Sequence, residues 1–238
     1  MSEAREAATR ELPKKLDPAA FIQANMRLAP VPSLPEIRLY LAHPGTGLRR
    51  LLERDNDGPD DNGPEPQPPY WAYAWAGGAV LARYILDNPS IVAGKRVLDL
   101  GAGSGLVGIA AAKAGARDVL AAEIDRNGVV ALRLNAAANG VAIAIVGDDI
   151  TGSPPPEVDL VLAGDVFYGQ EVGQRIMPFL DRCLAAGIEV LVGDPGRAWL
   201  PRSRLRQLAE YQVPDFGGNG ACEPKPSAVF AFIADRVG

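Results

Sequence analysis

The stretch that decides the fold is VLDLGAGSGLVG, residues 97–108. It begins as an apolar run, passes an acid at Asp99, and places Gly101, Gly103 and Gly105 before a second apolar segment. In a parallel sheet with crossover helices, ligands bind at the carboxyl ends of the strands, where the following helix offers free backbone N–H groups. The pattern therefore predicts a strand, a tight turn and a helix, with a ligand beside the bare backbone of the turn.

Strand and helix patterns alternate along the chain from residue 70 onward, which is typical of βαβ units and a parallel sheet. The predicted fold is α/β, a Rossmann-like sheet with helices on both faces. Strands are predicted within residues 95–103, 117–125, 142–150, 158–168, 188–195 and 227–236. Helices are predicted within residues 70–89, 104–116, 126–140, 170–187 and 202–211.

A smaller N-terminal part precedes this pattern, and we divide the chain into residues 1–69 and residues 70–238. Within the first part we predict a short helix, a proline-interrupted extended stretch, a strand at 37–42 and a short helix at 48–53. Residues 55–69 are acidic, rich in turn residues and nearly free of apolar side chains, so they bury too little to order themselves. They predict a mobile loop, either a tolerated surface insertion or an acidic arm that docks a substrate.

The composition excludes several classes of protein. With 238 residues, 47% of them hydrophobic, the chain can bury one sizeable core. The formal net charge of -5 and the lack of a long Lys/Arg run disfavour nucleic-acid binding. Cys183, Cys222 and the single His43 cannot assemble a Cys/His zinc site, so we expect no metal. The N-terminus lacks an apolar signal core and no apolar run reaches about 18 residues, which predicts a cytoplasmic protein without membrane contact.

The glycine spacing distinguishes between two cofactor classes. A dinucleotide fingerprint counted from Gly101 would need glycine at position 106, where this chain has Leu106. The pattern from Asp99 to Gly105 instead resembles motif I of the seven-strand S-adenosylmethionine-dependent methyltransferases. The resemblance implies S-adenosylmethionine as cofactor, with the glycines close to it and Asp99 helping to hold its amino acid end. A sharp strand-to-helix connection without any ligand stays open.

Acids follow the next two predicted strands. Glu123 ends the second strand, where a carboxylate can accept hydrogen bonds from two ribose hydroxyls, and Asp125 is better explained as a helix N-cap. After the third strand, Asp148 stands where the methyltransferase resemblance implies an acid near the adenine amino group. The alternative for Asp148 is a loop acid that caps a turn.

The fourth predicted strand ends in GDVFY, residues 164–168. Amino-methyltransferases of DNA bases carry Asn/Asp-Pro-Pro-aromatic at this place, and Val166 and Phe167 replace both prolines here. Base methylation is therefore disfavoured. What remains, Asp165-x-x-Tyr168, resembles an element of protein lysine methyltransferases with this fold.

The resemblance extends over most of the chain, about residues 17–237. The stretches PEIRLYLA, PPYWAYAWAGGAVLARYI, VLDLGAGSGLVGIAAAKAGA, GDVFY and VGDPGRAWLP together resemble the electron-transfer-flavoprotein β-subunit lysine methyltransferases. The chain departs from that pattern at Tyr40, where a histidine is expected, and in the polar loop at 55–69.

This resemblance implies methyl transfer from S-adenosylmethionine to a lysine of a protein partner. The suspected partner is the electron transfer flavoprotein β subunit, with other cytoplasmic proteins as further candidates, and we expect a monomer. Asp165 would orient the incoming ammonium or take its proton through water, and it would also contact the cofactor. Tyr168 would shape the lysine channel and share in its hydrogen bonding.

Aromatic residues crowd the start of the first predicted helix of the larger part. Trp71, Tyr73 and Trp75 either line the cofactor or lysine channel, since cations are attracted to aromatic faces, or pack in the core. In this segment, Trp75 and Gly77 are the predicted cofactor contacts. Asp194 and Arg197, after the fifth strand, either gate the acceptor side or pair with each other.

Two other functions remain open from the sequence. One is methylation of a small molecule, or of another protein side chain, on the same scaffold. The other is a module that binds a nucleoside without turnover.

Overall fold

A computed structural model describes residues 16–51, 68–215 and 224–235 of the chain. The N-terminal fifteen residues, Cys222 and the predicted loop at 55–69, except for Pro68 and Pro69, lie outside the described residues. The other predicted elements can be compared with the structure.

Seven strands form the main sheet. They are β3 (Arg96–Leu100), β4 (Asp118–Ala122), β5 (Ala144–Val146), β6 (Leu160–Gly164), β7 (Glu189–Asp194), β8 (Leu205–Pro214) and β9 (Pro224–Phe232). Their order across the sheet is β5-β4-β3-β6-β7-β9-β8. The first five run parallel, and β9 is antiparallel to both β7 and β8. The predicted Rossmann-like α/β class is confirmed.

Helices cover both faces of this sheet. The described helices are α1 (Pro18–Asn25), α2 (Ala76–Asp87), α3 (Leu106–Lys113), α4 (Arg126–Ala138) and α5 (Gln170–Ala185). Neighbouring residues of β3 show the two faces, since Val97 packs with α2 and α3 whereas Leu98 packs with α5. Within the described ranges, no helix is both long and apolar enough to cross a bilayer.

An antiparallel hairpin forms the N-terminal layer. Its strands are β1 (Arg27–Val31) and β2 (Leu34–Leu41). β2 therefore begins three residues before the strand predicted at 37–42, and its partner β1 comes from the proline-interrupted stretch. Ile37 and Leu39 of β2 pack in the same apolar cluster as α2 and α3. Of the short helix predicted at 48–53, the described residues 49–51 are helical. The domain boundary after residue 69 stays a prediction.

The prediction of a helix at residues 202–211 is wrong, because this segment forms a short 3-10 turn, Arg202–Arg204, and then strand β8. Leu205, Leu208 and Tyr211 are spaced by three residues, which imitates one face of a helix. In the structure the pairing of β8 with β9 shifts register between Gln207 and Ala209, a bulge that changes the phase of the strand. Leu205 therefore packs on one face of the sheet, and Leu208 and Tyr211 on the other.

The helix predicted at residues 70–89 is shorter than expected. A 3-10 turn, Tyr70–Ala72, is followed by extended backbone at Tyr73 and Trp75, and α2 begins only at Ala76. The aromatic residues consequently lie in an irregular segment above the sheet edge, where they can reach a ligand.

Candidate active site

A cavity of about 610 Å³ opens at the carboxyl ends of β3, β4 and β6. This is the edge where the order of the strands reverses, between β3 and β6, and where open α/β sheets bind ligands. Eight of the ten predicted site residues line it, namely Trp75, Asp99, Gly101, Gly103, Glu123, Asp148, Asp165 and Tyr168.

The glycine-rich turn forms the floor of the cavity. Gly101, Gly103 and Gly105 all have positive φ, at 67°, 52° and 82°, a region that side chains disfavour. Gly105 does not line the cavity; it is the N-cap residue of α3, and a Cβ there would lie 2.9 Å from Cγ of Leu132. The turn thus exposes bare backbone at Gly101 and Gly103, and Gly105 lets α3 pack closely on α4.

Asp99 provides the cap that Gly105 lacks. It is buried on β3, and its Oδ2 accepts a hydrogen bond from the backbone N–H of Gly108, in the first turn of α3, at 2.8 Å. Burial raises the pKa of this carboxyl to about 7, although the Gly108 N–H opposes the shift. Asp99 therefore fixes the strand, turn and helix relative to each other, which supports a role that acts through the turn backbone.

Glu123 lies directly after β4 and connects the turn to the neighbouring loop. Its Oε2 accepts from the Gly103 N–H at 2.6 Å, and its Oε1 accepts from the Asp125 N–H at 2.8 Å. Burial raises the pKa of this carboxyl, and the N–H donors oppose it. Asp125 is the N-cap of α4, as predicted. The exposed apolar residue Ile124 also lines the cavity, and sequence reasoning missed it.

The two acids after β5 have different surroundings. Asp149 accepts from both the N–H and the hydroxyl of Thr151, at 2.8 and 2.6 Å, and lies 3.4 Å from the guanidinium of Arg175. It is therefore the acid that caps the turn. Asp148 is exposed and lines the cavity, and its contact with the adenine amino group stays a prediction.

Asp165 is the first residue after β6 and is held at both carboxylate oxygens. Its Oδ2 accepts from the Gly78 N–H, at the N-terminus of α2, at 2.8 Å. Its Oδ1 accepts from Nε and Nη2 of Arg197, at 3.0 and 2.6 Å. Burial raises the pKa of Asp165 to about 6, against the Arg197 charge and the Gly78 N–H. It is also the only non-glycine residue in the described ranges with positive φ, at 58°.

Glycines allow α2 to approach the sheet closely enough for this contact. A Cβ on Gly77 would overlap the carbonyl oxygen of Gly193 on β7, and a Cβ on Gly193 would overlap the carbonyl oxygen of Gly77. Gly77 therefore lies behind the cavity wall, and its neighbour Gly78 lines the cavity. The structure gives Gly77 a packing role, and its predicted contact with the cofactor stays a prediction.

Aromatic rings form one wall of the cavity. The Tyr70 ring centroid is 5.1 Å from that of Tyr168 and 5.8 Å from that of Trp75, and Tyr73 lies 5.7 Å from Trp75. Tyr168 is 45% exposed, so its ring faces the opening. Trp71 is buried among apolar residues of the N-terminal layer and also lines the cavity, so both interpretations of that ring stay open.

Asp194 and Arg197 do pair, but through the backbone. Oδ1 of Asp194 accepts from the N–H groups of Gly196 and Arg197, at 2.6 and 2.7 Å, and this closes the turn after β7. The Arg197 side chain is then free to reach Asp165 and to line the cavity. The predicted pairing is therefore present through the backbone, and gating of the acceptor side by this segment stays a prediction.

These features fit S-adenosylmethionine. The left-handed glycine turn lets backbone approach the ligand, Glu123 presents carboxylate lone pairs that its two N–H donors do not use up, and Ile124 offers an apolar surface beside it. Within the described residues, no group of three or more His, Cys, Asp or Glu side chains has the arrangement of a metal site.

Comparisons with known proteins give the family. Residues 81–164 match the family described as ribosomal protein L11 methyltransferase (PrmA). The chain is 37% identical over 203 residues to the electron transfer flavoprotein beta subunit lysine methyltransferase of Rattus norvegicus, covering 82% of this chain and 76% of that protein. It is 38% identical over 207 residues to the enzyme of the same name from Homo sapiens, covering 83% and 76%.

Solved structures agree on the fold. Ribosomal protein L11 methylase from Lactobacillus delbrueckii subsp. bulgaricus superimposes with a TM-score of 0.50 at 22% identity, covering 74% of this chain and 92% of that chain. At this identity the likeness concerns the fold alone. With the relatives above, it follows that the chain belongs to the electron transfer flavoprotein β-subunit lysine methyltransferase family and is an S-adenosylmethionine-dependent protein-lysine methyltransferase.

Proposed function

We propose that this protein methylates lysine on the β subunit of an electron transfer flavoprotein, with Asp165 and Tyr168 at the acceptor side of the cavity. The relatives that carry this substrate in their names align over about three quarters of their length. The observation that carries the proposal is that the fixed Asp165 carboxylate and the half-exposed Tyr168 ring share one cavity with the glycine-rich turn.

The residues around the turn hold the cofactor. S-adenosylmethionine supplies an electrophilic methyl group when bound. In this proposal Glu123 accepts from the ribose hydroxyls and Asp148 accepts from the adenine amino group. Asp99 acts on the amino acid end through the turn that it fixes, and Trp75 covers the cofactor from the aromatic wall. The enzyme then chiefly positions two reactants and excludes water between them.

Asp165 receives the lysine. A lysine amine has a pKa of about 10.4 in water and must lose a proton before it can attack. A carboxylate attracts the ammonium, whereas desolvation in the cavity favours the neutral amine. Binding of the lysine therefore needs the carboxylate, and loss of its proton needs the desolvated cavity. Because the Gly78 N–H at the start of α2 fixes the Asp165 carboxylate, the side chain is suited to orient the amine. We assign the proton to water at the cavity mouth, beside Tyr168.

We propose a monomer that acts in the cytoplasm and does not bind nucleic acid, with the N-terminal part to residue 69 as an extension of the catalytic domain. The acidic balance of 29 Asp and Glu against 24 Lys and Arg supports the absence of nucleic-acid binding. Light scattering after size exclusion gives the mass in solution, and a dimer would contradict the proposed monomer.

The substrate is tested by methylation of two samples in parallel. The purified protein is incubated with labelled S-adenosylmethionine and either recombinant electron transfer flavoprotein or an extract from a strain that lacks the enzyme. We expect methyl-lysine on the β subunit in both, by mass spectrometry, and roughly 100-fold slower labelling with the Asp165→Asn variant. Label on other proteins alone would contradict the proposed substrate, and label confined to small molecules would contradict protein methylation.

A further inference from the structure

Arg197 is surrounded by carboxylates. Its Nη2 lies 2.6 Å from Oδ1 of Asp165 and 3.9 Å from Oδ1 of Asp215, and its backbone N–H donates to Asp194. The guanidinium also lies over the Trp75 ring, 5.9 Å from the centroid. The side chain therefore stands between two acids and is hydrogen-bonded to only one of them.

Asp215, directly after β8, is the second of these acids. Its side chain is 14% exposed, and its buried Oδ1 accepts no hydrogen bond in the described part of the chain. A buried carboxylate oxygen without a donor is unfavourable, and such groups usually have a partner in some state of the protein. A hydrogen bond needs about 2.9 Å, so Nη2 of Arg197 is roughly 1 Å too far away.

The acceptor amine creates a conflict at Asp165. Oδ1 of Asp165 already accepts two hydrogen bonds from Arg197. An incoming ammonium that reaches this carboxylate, at Oδ1 or at the free lone pair of Oδ2, is repelled by the guanidinium already bound to it. Because the Arg197 side chain is only 24% exposed, the second cation is accommodated best when Arg197 moves away and pairs with another anion.

We propose that Arg197 and Asp215 are positioning residues for the acceptor: Arg197 holds Asp165 in the free enzyme and turns to Asp215 when a lysine ammonium takes its place. The inference rests on the proposed function, in which lysine approaches Asp165. The exchange keeps every charge paired, since Arg197 with Asp165 becomes Arg197 with Asp215, and ammonium with Asp165. It also gives the unpartnered Oδ1 of Asp215 its donor.

The test uses n-butylamine as a mimic of the lysine side chain, with the protein saturated with S-adenosylhomocysteine so that no methyl transfer takes place. The probe is the NMR signal of the Arg197 Nε–H, assigned by its loss in Arg197→Met. We expect this signal to move as butylammonium is added. In Asp165→Asn, where Arg197 has no carboxylate at position 165, we expect the Arg197 signal to start near the position it reaches in amine-saturated wild-type protein, and not to move as butylammonium is added.

Asp215→Asn removes the second partner, and its effect decides the inference. Without that anion, Arg197 has no carboxylate to pair with once the ammonium displaces it from Asp165. The butylamine concentration at the midpoint of the titration should therefore rise roughly tenfold or more, as for the loss of one charge-assisted hydrogen bond. Asp215→Glu should restore most of the response. Asp118→Asn, which removes an exposed carboxylate paired with Arg117 at the start of β4, serves as the matched control and should leave the midpoint unchanged.

Two results would overturn the inference: an Arg197 signal that does not move in the wild-type protein, or an Asp215→Asn midpoint equal to that of wild type. Melting temperature and S-adenosylhomocysteine affinity establish that each variant is folded, and Asp215→Ser replaces Asp215→Asn if that variant is not. Because no protein substrate is present, failure to methylate the flavoprotein would contradict the substrate assignment and leave this titration readable.

Discussion

The carboxylate of Glu123 accepts a hydrogen bond from the backbone N–H of Gly103 at 2.6 Å, at the floor of the cofactor cavity. One acid thus fixes the glycine-rich turn and also lines the cavity with its remaining lone pairs. The two tasks belong to one side chain because Glu123 follows β4 directly, beside β3 in the sheet.

Replacing Glu123 by Ala should weaken S-adenosylmethionine binding by roughly 1.5–3 kcal/mol, the range for hydrogen bonds to a charged group. Calorimetric titration gives this number directly. Glu189→Gln, which alters an exposed carboxylate paired with Lys95, is the control and should bind normally. Unchanged affinity in Glu123→Ala would remove Glu123 from the cofactor site.

Asn135 on α4 connects the N-terminal hairpin to the same turn. Its Oδ1 accepts from the Tyr40 N–H at 2.8 Å, and its Nδ2 donates to the Ser104 carbonyl at 2.9 Å, with the side chain fully buried. Asn135→Ala should therefore lower the free energy of unfolding by about 1–3 kcal/mol for each backbone group left unpaired, and should also weaken cofactor binding.

The chain provides a matched control one helical turn later. Asn139 bonds the N–H and carbonyl of Arg38 at 3.0 and 2.6 Å without touching the glycine-rich turn. Asn139→Ala should cost less stability, because these contacts are solvent-exposed, and should leave cofactor affinity unchanged. Equal losses of affinity in both variants would show that the hairpin acts on the site in general, and not through Ser104.

Stability should depend on pH through Asp99. Because the pKa of Asp99 rises from 3.8 in the unfolded chain to about 7 in the folded protein, the folded state retains a proton over that window. The free energy of unfolding should consequently fall as the pH rises through this range, and this contribution should then stay constant. Asp165 adds the same trend up to about pH 6.

Asp99→Asn isolates this contribution, since its amide oxygen can still accept from the Gly108 N–H but cannot titrate. Urea unfolding at about pH 5 and about pH 8 should show a smaller loss of stability in the variant than in the wild-type protein. An identical pH dependence in both proteins would mean that Asp99 stays ionised throughout.

Changes at the acceptor side should affect turnover more than cofactor binding. Asp165→Asn should reduce kcat on the order of 100-fold, as expected when a reacting group loses its orientation, and Tyr168→Phe roughly threefold to tenfold for one lost hydrogen bond. Both variants should bind S-adenosylmethionine with nearly wild-type affinity. Equal losses of kcat and cofactor affinity would instead make the turn after β6 a structural element.

The contact of α2 with β7 should tolerate no side chain. Gly193→Ala places a Cβ against the Gly77 carbonyl, so α2 must shift, and we expect a loss of at least about 1–3 kcal/mol on unfolding. The Gly78 N–H would then move away from Asp165, and activity should fall as well. Gly152→Ala is the control, because nothing lies within 4 Å of its added Cβ. Normal stability of Gly193→Ala would contradict the close packing.

The sequence predicts the parallel sheet well because each of its buried strands is a continuous apolar run followed by a turn. Glu123 is predicted because an acid at the end of such a strand lies at the ligand edge, whereas Asp99 and Asp165 are predicted from the methyltransferase resemblance. All three line one cavity, and their roles toward the ligand stay predictions. The sequence fails at β8, an edge strand whose bulge gives Leu205, Leu208 and Tyr211 a helix-like spacing.

The partners of the site residues are less predictable. Arg197 contacts Asp165 over a separation of 32 residues, and only the turn closed by Asp194 directs it there. Gly77 and Gly78 are indistinguishable in sequence, and the residue at which α2 begins decides which one faces the cavity. Three-dimensional turn geometry, and not residue type, sets both outcomes.

The sheet order also affects how the protein is made. β8 is synthesised before β9, yet β9 is its only neighbour in the described sheet, so a newly made chain carries β8 without a partner until β9 leaves the ribosome. Unpaired strands invite association with other chains, and Arg206, Glu210 and Pro214 in β8 are residue types that discourage it. The late arrival of β9 makes the ends of β6 and β7, where Asp165 and Arg197 meet, among the last parts of the sheet to become fully supported.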